Sequence, residues 1–395
     1  MFEVIRANRR KSVALVLSLG ALLAVLGWTF GVLVHPSTGP TGVVLALGVW
    51  LLLLAVSFVG GEAMLMAQAG GREIQKKDAP QLFNVVEEMT IASGLGTPPK
   101  IYLIDTPIPN AFAVGRNERR AAVGFTTGLL AKLNRDELQG VAAHEIAHIK
   151  NRDTLFMTIA GTTVGAIILL CDMFARGLRF TATGRRRSSR DGGVAVIVLL
   201  AVILSIVAPL LAQLLYFATS RRREYLADAC AAQYTRYPEG LASALEKIAG
   251  GQRADAEVSR VLAPMYIVSP FRARGHANSL FSTHPPTEDR IHVLRSMGQS
   301  ASLRAYEEAY KRLHGGTGVM GSFALASVAD APVREPTAGE AANAAEGWRS
   351  VRNILRSAEG GTPLDCDCGL RLWIPPAWTG APIRCPRCGH HHRMG

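Results

Sequence analysis

Apolar residues in this chain fall into a few long runs, and the polar stretches between them carry shorter periodic patterns. The first run, Ser12 to Val34, contains no charged residue. It is long enough to cross a hydrocarbon core of about 30 Å as a helix. A linker from His35 to Thr41 leads to a second run, Gly42 to Val59, and the two predict a helical hairpin. A signal peptide would have a shorter apolar region and a small-residue cleavage site, so an uncleaved anchor is expected. Leu155 to Phe174 and Val194 to Ala218 predict a second apolar pair.

The polar segments read differently. Asp78 to Ser93 has the period of an amphipathic helix and Pro99 to Ile104 that of a strand. Ala111 to Gly115 and Ala121 to Thr126 predict two further strands around a turn at Arg116 to Arg120. Asn134 is a helix cap with Asp136 and Glu137 in the first turn, and the helix runs through Lys150. Helical character resumes from Tyr225 to Ser300, whereas the alanine-rich stretch from Thr337 to Glu346 reads as a linker.

Composition changes this picture mainly through charge. Mean hydropathy is positive and the formal charge is +12. Basic residues beside apolar spans set orientation and meet lipid headgroups, and no nucleic-acid-binding motif is present. Arg6, Arg9, Arg10 and Lys11 precede the first hairpin and Arg72, Lys76 and Lys77 follow it, which puts both ends of the hairpin, and the polar region, on the cytoplasmic side. Arg176, Arg179, Arg185, Arg186, Arg187 and Arg190, between the later apolar runs, oppose that rule if both runs span. Either the pair spans at a cost or it forms a membrane-dipping or protein-buried hairpin; both return the chain to the same face.

His144-Glu145-Ile146-Ala147-His148 is an HExxH sequence on the helix capped by Asn134. Residues i and i+4 share a helix face, so both imidazoles can reach one zinc ion while Glu145 is placed to polarise water there. Leu138, Ala142, Ile146 and Ile149 mark the opposite, apolar face. A hydrolytic zinc needs a third protein ligand and an open position. Glu224 and Asp228, again i and i+4, could provide a ligand and a carboxylate that orients a histidine, or could belong to an ordinary solvated helix.

The order of two spans, Asn110-Ala111-Phe112-Ala113-Val114, the HEIAH helix, two more apolar runs, Arg223-Glu224-Tyr225-Leu226-Ala227-Asp228 and His284-Pro285-Pro286-Thr287-Glu288-Asp289-Arg290 resembles the HtpX-type membrane peptidases of the M48 family over roughly residues 1 to 300. The resemblance implies a zinc metalloendopeptidase with Glu145 as general base, Glu224 as third ligand, and Asn110 to Val114 binding an extended protein or peptide substrate by strand addition. It implies membrane-protein substrates and a part in their quality control. It also gives His284 and Arg290 a role in stabilising the oxyanion or fixing the Glu224 helix; for Arg290 a buried ion pair with Asp228 is an equal reading.

Four of the six cysteines lie at the C-terminus. Cys366 and Cys368 with Cys385 and Cys388 resemble the two knuckles of a zinc ribbon, a second, structural zinc site, although one intervening residue in the first pair is short. His390, His391 and His392 read as a solvated tail and Cys171 and Cys230 as buried hydrophobes. The partner of the ribbon is not specified.

The expected fold is therefore a mainly α membrane protein with about four apolar helices, a cytoplasmic α+β gluzincin-type peptidase domain and a small zinc ribbon. The expected divisions are a hairpin at 1–70, a first peptidase part at 71–153, a second apolar hairpin at 154–219, a second peptidase part at 220–315, a linker at 316–361 and the ribbon at 362–395. Two rivals are a non-catalytic membrane adaptor that recruits partners through its ribbon, and a CAAX-type prenyl-protein protease, which calls for additional spans.

Overall fold

The computed structural model describes residues 2–184, 192–250, 267, 285–316, 318–320, 325, 331–337, 344–376 and 382–392. The first two apolar runs form α1 (Phe2–Val34) and α2 (Gly39–Gln68), joined by a 3-10 turn at Pro36–Thr38. At Gly27 and Gly42 their backbones meet directly. A Cβ on Gly42 would lie 2.0 Å from the Gly27 carbonyl oxygen, and one on Gly27 would lie 2.6 Å from that of Gly42. In lipid, close backbone approach of this kind supplies packing that the hydrophobic effect cannot.

After α2 the chain builds a four-stranded sheet from β1 (Gly71–Glu73), β2 (Lys100–Ile104), β3 (Ala111–Asn117) and β4 (Arg120–Thr126), in the order β1-β2-β4-β3. β2 and β4 run parallel and the other pairs antiparallel, so β3 is an edge strand. α3 (Pro80–Ser93) and α4 (Thr127–Lys132) flank the sheet. Arg116, near the end of β3, donates to the Phe58 carbonyl of α2 at 2.8 Å and ties the sheet to the hairpin.

α5 (Arg135–Lys150) begins with the expected Asn134 cap, as a full capping box with Glu137. The expected one-sided burial is not what the helix shows: Asp136 to Ala147 and Ile149 are all buried, because α3, β3, α7 (Gly192–Thr235) and α8 (Pro238–Gly250) surround it. Its acidic first turn is matched accordingly. Glu137 accepts from Ser243 at 2.6 Å and pairs with Lys247 at 2.7 Å.

α6 (Asp153–Gly184) follows α5 after only two residues, with Arg152 in the left-handed region at φ 60. Trp50 of α2 donates to Thr163 of α6 at 2.9 Å, a polar tie between apolar helices. α7 is a single helix of 44 residues, about 66 Å long, in which the last apolar run and the Glu224 segment are continuous. A domain boundary near 219 is therefore not a break in structure. The reason is local: from Thr219 to Arg223 no glycine or proline interrupts the helix. Among the described residues three helical segments are long and apolar enough to cross a membrane, Val13–Val34, Pro36–Val56 and Asp153–Met173, and Ala201–Ala212 of α7 is a shorter apolar stretch. The arginines at 185, 186, 187 and 190 lie outside the described residues; Arg176 pairs with Asp172 at 2.7 Å.

α9 (Thr287–Arg295) and α10 (Leu303–Leu313) complete the body. The stretch expected to be a linker is partly docked on it. Arg334 donates to Asp136 at 2.7 Å, to Gln139 at 2.9 Å and to the Thr235 carbonyl at 3.0 Å, and Thr337 caps Asp136 with its amide and its hydroxyl. α11 (Ala344–Ala358) then packs against α4. Two small hairpins end the chain, β5 (Thr362–Asp365) with β6 (Arg371–Ile374) and β7 (Ile383–Arg384) with β8 (His391–His392). Trp373 of β6 donates to Asn353 of α11 at 3.0 Å, and a cleft of about 830 Å³ lies between this module and the start of α5.

Candidate metal centre

α5 presents His144 and His148 one turn apart, and α7 crosses it so that Glu224 faces both rings. The two Nε2 atoms are 3.1 Å apart. Glu224 Oε2 is 3.5 Å from His144 Nε2, and its Oε1 is 3.5 Å from His148 Nε2. These three residues can offer ligand atoms that all lie within 4.8 Å of one another. Atoms sharing one ion at 2.0 to 2.2 Å would stand about 3.3 Å apart.

The outer nitrogens decide what the inner ones can do. His144 Nδ1 lies 2.9 Å from Asp228 Oδ1, and His148 Nδ1 lies 3.1 Å from Asp153 Oδ2. Each carboxylate is placed to accept the N–H of its ring, a tautomer that leaves both Nε2 atoms as acceptors. Two imidazole lone pairs and a carboxylate then converge on one point. Such a set repels itself unless a cation sits among it, and the chemistry of nitrogen with carboxylate oxygen suits zinc.

Charge balance points the same way. Glu145, Glu224, Asp228 and Asp153 face two guanidinium groups, Arg290 and Arg223, and with both rings neutral the cluster keeps two negative charges for a divalent cation to offset. Without an ion the rings are drawn toward protonation: burial lowers the pKa of His144, but hydrogen bonds to Asp228 and Glu224 outweigh it and raise the value. His148 behaves likewise through Asp153 and Glu224. Glu145 is 3% exposed, and burial pushes its carboxyl up against the lowering pull of His144 and His148.

Arg290 is fully buried and grips Asp228 with both arms of its fork, Nε to Oδ2 at 2.8 Å and Nη2 to Oδ1 at 2.7 Å. Its Nη1 lies 3.4 Å from Glu224 and donates to the Ile267 carbonyl at 2.8 Å. The structure thus brings together His144, Glu145, His148, Glu224, Asp228 and Arg290. His284 lies outside the described residues. Asn110 and Ala111 to Val114 stand at the edge of the sheet beside α5 and α6, and Asn110 Oδ1 accepts the Ile267 amide at 3.1 Å.

Sequence reasoning missed Asp153 and gave Arg223 no role. The available signal was a carboxylate five residues past a histidine ligand, just beyond the end of its helix.

The four C-terminal cysteines also meet, with sulfur atoms within 4.8 Å of one another, Cys366 to Cys388 at 3.4 Å and Cys368 to Cys385 at 3.7 Å. Tetrahedral Zn–S bonds of about 2.3 Å would set sulfurs about 3.8 Å apart. The one-residue spacing is accommodated by shortening the whole knuckle. Cys366 closes its turn with Leu370 and Gly369, and Cys385 closes the equivalent turn with His390 and Gly389, one residue later in each case. Both glycines need positive φ, 80 and 78. Amides of Cys388 and Arg387 donate to Cys385 and pull its thiol down to about 6. Cys171 and Cys230 are buried and free, as expected.

Residues 76–298 match the sequence profile of peptidase family M48. A protease HtpX homologue of Dictyoglomus thermophilum is 43% identical over 302 residues, covering 76% of this chain and 96% of the relative. One from Thermoanaerobacter pseudethanolicus is 39% identical over 299 residues, covering 75% and 98%. The crystal structure of Ste24p from S. mikatae aligns at a TM-score of 0.40 and 17% identity over 74% of this chain and 66% of that one. Taken with the apolar helices, the two close relatives and the profile place this chain in peptidase family M48, as an HtpX-type membrane metallopeptidase.

Proposed function

We propose that the protein is an endopeptidase that cleaves membrane proteins at the cytoplasmic surface, using zinc held by His144, His148 and Glu224 and Glu145 as general base. The observation that carries this reading is the convergence of both Nε2 atoms and the Glu224 carboxylate on one point, with an aspartate beside the outer nitrogen of each ring. When bound, zinc supplies Lewis acidity and brings the pKa of water toward neutrality. Glu145, buried beside the ligands with its carboxyl pushed up, accepts the proton of the attacking water and returns it to the leaving amine. Arg290 serves as a positioning residue through Asp228, because its fork is already engaged there. β3 is an edge strand that could pair with an extended peptide, and just before it the Asn110 side-chain oxygen accepts the Ile267 amide.

The proximity of the site to the membrane supports membrane-protein substrates and a quality-control role: Asp153, which touches His148, is the first residue of an apolar span. The basic flanks of the first hairpin support the cytoplasmic orientation. A second zinc, in the four-cysteine cluster, is structural, because four thiolates leave no open position for chemistry. A purely adaptor role has no use for a buried general base, and three long apolar segments among the described residues do not supply the extra spans that a CAAX-type reading calls for.

Glu145→Gln tests the proposal in proteoliposomes carrying a membrane-protein substrate. Cleavage should fall by about 10² to 10⁴-fold with zinc content unchanged. Undiminished cleavage refutes the assignment.

A further inference from the structure

Asp153 is enclosed, its side chain 2% exposed, and each of its oxygens has a partner. Oδ2 meets His148 Nδ1 at 3.1 Å, and Oδ1 is ion-paired with Arg223 Nη1. Arg223 comes from α7, and its guanidinium lies 3.7 Å over the ring of Phe156, one turn along α6 from Asp153. The arrangement mirrors the other histidine, where Asp228 orients His144 and Arg290 grips Asp228. One difference matters. Asp228 shares a helix with the ligand Glu224, whereas Asp153 opens α6 and is anchored by α7, the two helices that continue into apolar segments.

We propose that Asp153 is a positioning residue for the metal centre: it fixes the His148 ring through Nδ1, and Arg223 with Phe156 fixes Asp153, so the hold on the ion depends on how α6 and α7 are packed. The proposal rests on the reading of His144, His148 and Glu224 as zinc ligands. A buried carboxylate held by an arginine could serve only to join two helices. The two roles separate by measurement: a structural tie governs the stability of the metal-free fold, and a positioning residue governs zinc affinity within it. Carboxylate partners of ligand histidines are typically worth about 10- to 100-fold in metal affinity.

The experiment is chelator competition for zinc on the full chain in lipid nanodiscs, paired with thermal unfolding of the metal-free protein. Asp153→Ala should weaken zinc binding about 10- to 100-fold. Phe156→Leu, which keeps both charges but removes the surface under Arg223, should weaken it severalfold. Thr163→Val, which loosens the α2–α6 contact far from the ligands, should lower metal-free stability and leave zinc affinity alone. A folded Asp153→Ala variant with the affinity of the parent overturns the proposal. If that variant fails to fold, parental affinity in Phe156→Leu overturns it instead. A parent chain that binds no zinc at these histidines defeats the metal reading itself, a distinct outcome.

Discussion

The histidine–carboxylate cluster and the four-cysteine cluster are both arrangements suited to one ion, yet they are built in opposite ways. The first gathers residues from α5, α6, α7 and α9, from His144 to Arg290, and buries each carboxylate beside a ring, an arginine or both. The second is local, made by two turns within 23 residues of chain, Cys366 to Cys388, and flanked by strands too short to form a core. A site assembled from distant elements can be shaped to leave a ligand position open, whereas a site made of two knuckles closes around its ion. Under the proposed function, the body folds around its cluster and the terminal module folds because of its own.

This contrast is broken most severely at the cysteines. Cys388→Ser should reduce bound zinc from two per chain to one and unfold β5 to β8, because structural zinc in small modules is worth about 10 kcal/mol or more. Metal analysis with amide hydrogen exchange of residues 362–392 reads both effects, and peptidase activity toward a soluble peptide should persist. Loss of both ions on this single change would show that the two clusters are not independent.

At the body cluster the comparable insult is Arg290→Met, which strands Asp228 without its bidentate partner. The expected destabilisation is about 3 to 5 kcal/mol, measured by denaturant unfolding in detergent. The double variant Arg290→Met with Asp228→Asn should lose clearly less than the sum of the single losses, since the uncompensated charge is gone. Additive losses would mean that the pair is not coupled in the way its geometry implies.

A smaller effect concerns the strap over α5. Burial raises the pKa of Asp136, but hydrogen bonds from Thr337 and Arg334 outweigh it and hold the carboxyl below its ordinary 3.8. A depressed folded pKa gives stability that is fully present above the unfolded value and is lost as pH falls through the folded value. Melting temperature should therefore drop between just above pH 4 and the depressed value below it, and Asp136→Asn should show a flatter profile there. An unchanged slope in the variant would remove Asp136 from this account.

Much of this was legible in the sequence where a local pattern carries the physics. The apolar hairpin, the Asn134 cap and the i, i+4 histidines each declare themselves within a few residues, and Ala111 to Gly115 was expected to be a strand, with its place beside the site implied only by the family resemblance. The family motifs placed Glu224 at the ligand cluster. What stayed hidden depends on long-range contact. The unbroken α7, the docking of Arg334 on Asp136 and the meeting of Asp153 with Arg223 have no local signature. The half-buried face predicted for α5 failed because periodicity describes a helix on a surface, and this one is enclosed on every side.

The central claim is one divalent ion shared by α5 and α7, and anomalous scattering at the zinc edge from crystals of the full chain tests it most directly. The account predicts a peak about 2.0 to 2.2 Å from His144 Nε2, His148 Nε2 and a Glu224 carboxylate oxygen, with a second peak among the four cysteine sulfurs. Zinc-loaded protein with no density between the two rings, or with the Glu224 carboxylate turned away from the ion, would contradict it.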